Sequence, residues 1–532
     1  MKHYIYIPVL LLTMGLFSCA SHLYHFTSQP PVWFYNDIHP IPLPDNVYQD
    51  RFNYYANVTP PRPTVSSTFI ASNDRARDVN SQDQVPASSW YIPRLGVDPI
   101  SPDELVNGPS EFGPPQPPLM LHKIRSAEDN PRLFIMDSRN IYYLLKMDPP
   151  GFYGLATGTS FIVNRLFWGF GYNVPEDHLY YFKREDLVPS PESGYSTEYI
   201  DEIMSRVATP HMGSFRAIAS RIIDGLPLGP APAKGVRKND PNDLFPHQER
   251  RILRALRVFG AFVNMYDIGA DNLFDIYVGP PGQGYIKHYL VDFDNALGTY
   301  AIENDHIWAG FNHIFNMTDI IRNTLTFGLI VQDWEHIRPT QWNSVGAFEA
   351  DFFKPENWKE THPFEPIQNS QNSDNYWAAK ILSQVSDEQL AALVRAGEYP
   401  PEAGDYVLNT LIERRNKVLH YYLNQVTPVE YKSISDSEIV FYDLAEETMQ
   451  QNETDRYKFR IVNSRNKTIF PEQVIHSDRN ELRIALFPEW FKGANPYFCI
   501  IITKVDPDPL PPVQFHITLD GNDRPVIAGI VH

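Results

Sequence analysis

The sequence predicts an α+β chain closed by an all-β unit, and three observations predict it. Short β-rich runs, Leu119 to Ile124, Arg132 to Asp137 and Ile141 to Met147, follow one another across turns. A helix-rich stretch comes next, in which an amphipathic segment leads through a polar loop into a hairpin that ends at Asp292. From about Pro428 the runs SEIVFYDL, YKFRIV, ELRIALF, YFCIIITKV, VQFHITL and PVIAGIV recur between Asn, Asp, Gly and Pro, the pattern of a small β-sandwich. A length of 532 residues leaves room for about three or four domain-sized units. The boundaries read from these shifts are a leader at 1–18, a Pro-rich tether and extended arm at 19–118, a β-rich lobe at 119–187, a helical lobe at 188–427 and the β unit at 428–532.

The leader begins with Lys2 and His3 and continues as an apolar run from Ile5 to Phe17. That run is short of the ~20 residues a membrane-spanning helix needs but fits the core of a secretory signal. Leu16-Phe17-Ser18-Cys19 resembles a bacterial lipobox, which implies cleavage before Cys19, lipid on its thiol and attachment to a membrane of the cell envelope. The second cysteine, Cys499, then has no partner for an intramolecular disulfide, so stability must come from the core. The net charge of −19, with no sustained basic stripe, excludes a nucleic-acid partner. Prolines, 47 in all, concentrate early in runs such as Gly113 to Pro118 and predict extended chain rather than repeats.

In the first β-rich lobe, period-two alternation sets Tyr142, Leu144 and Lys146 on one strand face. Gly154 to Tyr172 reads as a helix without Asp or Glu, and Asn173 to Phe182 as a further strand. Ser190 to Pro210 is an insertion with one short helix, and Ser214 to Ile223 fits strand or helix; Arg216 and Arg221 within it are candidates to line the cleft, with a surface role the favoured reading. Ile252, Leu253, Leu256, Phe259, Phe262 and Val263 then mark one buried helix face. Asp267 and Asn272 follow in the loop, Leu273 to Val278 is a strand, Gly279 to Gly284 a turn, and Tyr285 to Val291 the return strand that delivers Asp292. Later helices are expected over Asp319 to Val331, after the capping pair Ser386 and Gln389, and over Tyr406 to Val426.

Helix, Asp-x-x-x-x-Asn, hairpin and Asp-Phe in this order resemble the catalytic segment of the protein-kinase-like superfamily. The resemblance implies a two-lobed kinase-like fold. It implies that Asp267 is the base orienting an acceptor hydroxyl, that Asn272 and Asp292 hold Mg²⁺ against the phosphates of ATP, and that Lys146 touches those phosphates. Phosphoryl transfer asks for these residue types, because hard oxygen ligands suit Mg²⁺ and most of the catalysis is positioning and charge neutralisation. Met265-Tyr266 stands where the family has His-Arg, and Asp294 where it has Gly, as an extra ligand or a sign of drift. The loop Arg125 to Pro131 lacks glycines, and the acid that usually pairs with the lysine is missing from its helix, leaving Asp148 as a substitute to consider. ATG at Ala156 to Gly158, RLFWGFGYNVPE and PHQERR also make residues 75–425 similar to exported bacterial proteins grouped with HipA-like and CotH-like atypical kinases.

Two functions follow as expectations. One is an envelope-anchored lipoprotein whose kinase-like domain binds Mg-ATP and transfers phosphate to an unknown protein or small-molecule acceptor. The other is a non-catalytic, pseudokinase-like lipoprotein that binds or assembles, with the β unit as its contact surface. A compartment poor in ATP favours the second; the set Lys146, Asp267, Asn272 and Asp292 favours the first.

Overall fold

The computed structural model describes residues 24–26, 30–58, 74–125, 130–300, 303–304, 306–314, 324–325, 331–450, 456–492 and 496–532. The leader with Cys19, and most of the helix expected over Asp319 to Val331, lie outside them. The architecture is mixed α+β with several sheets.

Six strands form the first sheet, in the order β4-β6-β3-β2-β1-β5. They are β1 (Leu119–Arg125), β2 (Arg132–Met136), β3 (Tyr142–Met147), β4 (Asp177–Phe182), β5 (Leu187–Pro189) and β6 (Phe215–Arg221). Their pairing is antiparallel except between β1 and β5. Alternation on β3 sends Tyr143, Leu145 and Met147 into a core closed by Ile200, Ile203 and Met204 of helix α4 (Thr197–Met204). The opposite face carries Tyr142, Leu144 and Lys146, as the sequence pattern required. The sheet unit does not end at residue 187, because its strand beside β3 is β6, reached only after the insertion that holds α4.

Helix α3 (Leu155–Gly169) is buried along almost its whole length, and its Phe161, Val163, Leu166 and Phe167 share a core with Leu256, Phe259 and Phe262. The single helix expected there is two, α5 (Arg251–Arg254) and α6 (Leu256–Val263). Arg251 and Arg254 of α5 turn inward, Nε of the first 3.0 Å and NH1 of the second 3.1 Å from the Asp374 carboxylate, where all three side chains are wholly buried. β7 (Leu226–Pro230), β8 (Leu273–Val278) and β9 (Tyr285–Leu290) make a three-stranded sheet beside them. Helices Asn372–Leu382, Asp387–Ala396 and Pro401–Leu423 complete the body, the second opened by the reciprocal bonds of Ser386 and Gln389.

The arm is stitched along this body. Helix α1 (Arg51–Asn57) lies over the first sheet, α2 (Pro102–Asn107) over α3, Ile41 bridges to Gly284, and Trp90 stacks on His288 at 3.6 Å. At the C-terminus, β10 (Val429–Ile434), β11 (Glu438–Asp443) and β14 (Glu481–Ala485) face β12 (Arg456–Asn463), β13 (Thr468–His476), β15 (Tyr497–Lys504), β16 (Val513–Leu519) and β17 (Pro525–Val531). Phe441 and Ile484 of the first sheet meet Ile461, Ile500 and Phe515 of the second in one core, the packing of a sandwich. This unit is nevertheless tied to the body: Leu444 and Ala445 enter the main core, Lys380 pairs with Glu430 at 2.7 Å, and His532 meets Asp83 at 3.1 Å.

Candidate functional site

Hairpin register sets two of the expected residues side by side. Leu273 pairs with Leu290, so Asn272 stands opposite Val291, whose N–H donates to the Asn272 carbonyl at 2.9 Å. The Asn272 side-chain amide donates to the carbonyl oxygen of Asp292 at 3.4 Å. Asp292 itself has a φ of +65°, the left-handed region that a non-glycine residue enters only when its surroundings hold it there. What holds it is the loop that follows. Leu297 N–H bonds Val263 O at 2.8 Å, Thr299 Oγ1 bonds Asp294 O at 2.6 Å, and Asn295 Nδ2 donates to Asp267 Oδ2 at 3.1 Å. Gly298, with a φ of +70°, lets this loop run against the backbone of Ala347, where a side chain would collide.

From the opposite wall β3 supplies Lys146. Its ammonium contacts Asp292 Oδ1 and lies 3.5 Å from Asp294 Oδ2. Arg132 is the cross-strand partner of Lys146, and its guanidinium comes within 3.9 Å of Asp292 Oδ2. Burial works against the charged ammonium, yet the two carboxylates outweigh it and raise the Lys146 pKa. Burial also works against ionised Asp292, but Lys146 and Arg132 overcome it and hold that carboxyl well below the usual carboxylate range. Asp294 moves the other way, raised first by burial and then by the neighbouring Asp292 charge. Its Oδ1 is buried with no hydrogen-bond partner among the described residues. Two adjacent carboxylates with opposite shifts thus share one lysine.

Both walls enclose a cavity of 150 Å³. Its lining combines the charged residues Lys146, Arg125, Arg132, Asp177, Asp271 and Asp292 with the apolar residues Leu144, Ile222, Ile223, Phe274 and Val291 and with Tyr54, Tyr55 and Val58 of the arm. Asp177, Ser220 and Leu144 lie in one register row across β4, β6 and β3.

The structure therefore brings Lys146 and Asp292 together at one cleft, sets Asn272 beside Asp292 through its bond to the Asp292 carbonyl, and ties Asp267 to Asn295 of the loop that follows. Asp148, considered as a substitute partner for the lysine, is instead buried in the α3 start, accepting from Gly154 N–H at 2.8 Å and Thr157 N–H at 2.9 Å. Arg216, read as a surface residue, is buried and donates to Gly397 O at 2.6 Å and Glu398 O at 2.9 Å; Arg221 does line the cavity. Sequence reasoning passed over Arg132, Asp177 and Asp271. A cross-strand register would have found Arg132, but single-sequence alternation gives faces and not partners. Cys19 lies outside the described residues.

What the fold and the site define together is a charged, partly closed cleft between the six-stranded sheet and a hairpin. No family model matches the chain, and no curated protein matches it.

Proposed function

We propose that this cleft binds a nucleotide with Mg²⁺ and that the chain is a kinase-like phosphotransferase, anchored to the bacterial envelope through lipid on Cys19. The observation that carries this reading is the meeting of Lys146 with Asp292 and Asp294 across two separate sheets, with Asn272 and Asp267 on the adjoining loop. Strand order supports it: β1, β2 and β3 as a meander, then α3, β4 and β6 beside β3, then α6, the polar loop and the β8–β9 hairpin, the order of a two-lobed kinase-like fold. The donor set suits a hard cation, since Asp292, Asp294 and the Asn272 amide offer oxygens, and Asp294 Oδ1 is a buried acceptor without a hydrogen-bond donor among the described residues. When bound there, Mg²⁺ would neutralise phosphate charge. Lys146, released from Asp292 by that competition, and Arg132 would meet the phosphates, and Asp267 would orient the acceptor hydroxyl.

A second reading, nucleotide binding without transfer, is favoured by one observation. α3 brings no carboxylate to Lys146, and the acid nearest that role, Asp177, comes from β4.

Thermal stability with Mg-ATP tests both readings. A ligand bound only by the folded state stabilises it by ~2.7 kcal/mol at a hundred times its Kd. The shift is expected in wild type, lost in Asp292→Ala or without Mg²⁺, and retained in Asp267→Asn, which loses transfer alone. A shift with no turnover selects the second reading. No shift at millimolar Mg-ATP in any form, including a chain freed of the arm contact described next, ends both. Mass spectrometry of the N-terminal peptide, with release from the membrane in Cys19→Ser, tests the anchor.

A further inference from the structure

We propose that helix α1 of the arm is an internal plug that closes the cleft, so that nucleotide enters only when α1 is displaced; this rests on the nucleotide reading above. The first support is size. Ligand pockets for molecules as large as a nucleotide run to about 300–1,000 Å³, and the cavity beside Lys146 and Asp292 has 150 Å³. The missing volume is filled by one side of α1. Tyr54 and Tyr55 pack on Phe274 of β8, with ring centroids at 5.9 Å and 6.1 Å, and Tyr55 and Val58 join the same apolar cluster as Val291, the residue just before Asp292. These aromatics cover the apolar lining at Ile223, Phe274 and Val291, the chemistry a flat heteroaromatic base would seek, while Lys146, Arg132 and Asp292 supply the charged lining of the same cavity.

The second support is that α1 spans both walls. Phe52 sits against His122, Phe134 and Tyr142 of β1, β2 and β3, at 5.4, 5.9 and 5.1 Å, while Tyr54 and Tyr55 hold the hairpin. Arg51 closes the contact by pairing with Asp224, on the connection between β6 and β7. A helix placed this way fixes the distance between the walls as well as filling the gap. The third support is that the seat is imperfect. Tyr55 Oη is buried with no hydrogen-bond partner among the described residues, and the Arg51–Asp224 pair is partly solvated, so an occupant with better polar matching can compete.

If α1 occupies the cleft in more than nine molecules of ten, the apparent Kd is at least tenfold weaker than that of the open cleft. The experiment measures binding of trinitrophenyl-ATP with Mg²⁺ to the full chain in four forms: wild type, Phe52→Ser with Tyr55→Ser, Arg51→Ala, and the double variant carrying Asp292→Ala. The expected result is at least tenfold tighter binding in the double variant, a smaller gain in Arg51→Ala, and loss of binding on adding Asp292→Ala. In wild type, saturating nucleotide should also speed tryptic cleavage after Arg51. Arg51→Ala removes only a partly solvated contact, so it keeps the test valid if the double variant fails to fold. Equal affinity in wild type and both arm variants, with cleavage at Arg51 unchanged by nucleotide, overturns the plug and leaves nucleotide binding standing. Binding in no form overturns nucleotide binding, and the plug with it.

Discussion

Lys146→Met is the most informative perturbation of the unliganded protein, because it removes the lysine that two carboxylates share while keeping an apolar stem of similar length. Removing one partner of a fully buried ion pair costs about 3–5 kcal/mol, since the remaining charge is left desolvated. The figure must be reduced here. Asp292 keeps 33% of its side-chain surface exposed, Lys146 keeps 17%, and Arg132 stays 3.9 Å from Asp292. About 1–3 kcal/mol is then the expected loss, a fall of several degrees in the melting temperature of the transition that includes the first sheet. The pH dependence separates charge from packing. Asp292 has a depressed pKa in the folded protein, so its contribution is present above the ordinary carboxylate pKa, near 4, and is lost as pH falls through its lower folded value. Without Lys146 that contribution vanishes, so the deficit of the variant should be full at pH 7 and should shrink progressively as pH falls below about 4 towards the lower folded value. Adding Asp294→Asn removes one of the two crowded negative charges and should restore more than half of the loss. Denaturation followed by tryptophan fluorescence at pH 7 and at pH 2.5, well inside the window between the ordinary and the depressed carboxyl pKa, reads all three quantities. A deficit of equal size at both values, unrelieved by Asp294→Asn, would show that Lys146 matters only through its packed stem.

Three further outcomes are expected. Asp374→Ala leaves the wholly buried Arg251 and Arg254 without their shared carboxylate and should cost about 3–5 kcal/mol in chemical denaturation, among the largest single effects in the chain. Gly171→Ala sets a side chain at a φ of +105° against the Tyr91 ring, and should loosen the arm by about 2–4 kcal/mol, read as faster hydrogen exchange over Trp90 to Leu95. Burial works to raise the Glu430 pKa, but Lys380 and His532 outweigh it and lower it, so Glu430→Gln should destabilise at pH 7 and its deficit should fade as pH falls below about 4, measured by thermal melts across that range.

Much of the fold was legible because it is local. The hairpin turn at Gly279 to Gly284, the two-residue period of β3 and the capping residues Ser386 and Gln389 each act within a few positions, where propensity and pattern carry the signal. The joining of β6 to β3 was missed, since its partner strands lie more than sixty residues apart and the intervening insertion reads as a boundary. The break between α5 and α6 was missed for a similar reason: a continuous apolar period ran through it, and the inward turn of Arg251 and Arg254 answers to Asp374, over a hundred residues downstream.

The same distinction separates the chemistry of the cleft from access to it. Asn272 and Asp292 are joined by one hairpin, so the hairpin's register alone makes them neighbours, and the sequence could nominate them together. Lys146 required only that a strand face be assigned correctly. Access to the cleft is decided by Phe52, Tyr54 and Tyr55, in a stretch rich in Pro, Asn and aromatic residues that looks like any surface arm until Phe274, more than two hundred residues away, is brought beneath it. Aromatic residues of an arm carry no polarity that marks them as occupants rather than packing, and their role depends on what shares the cavity. Carboxylates and a lysine announce a chemistry by type; a plug is defined only by the space it fills. The arm helix is therefore the part of this protein on which the sequence is silent and on which the availability of its charged cleft depends.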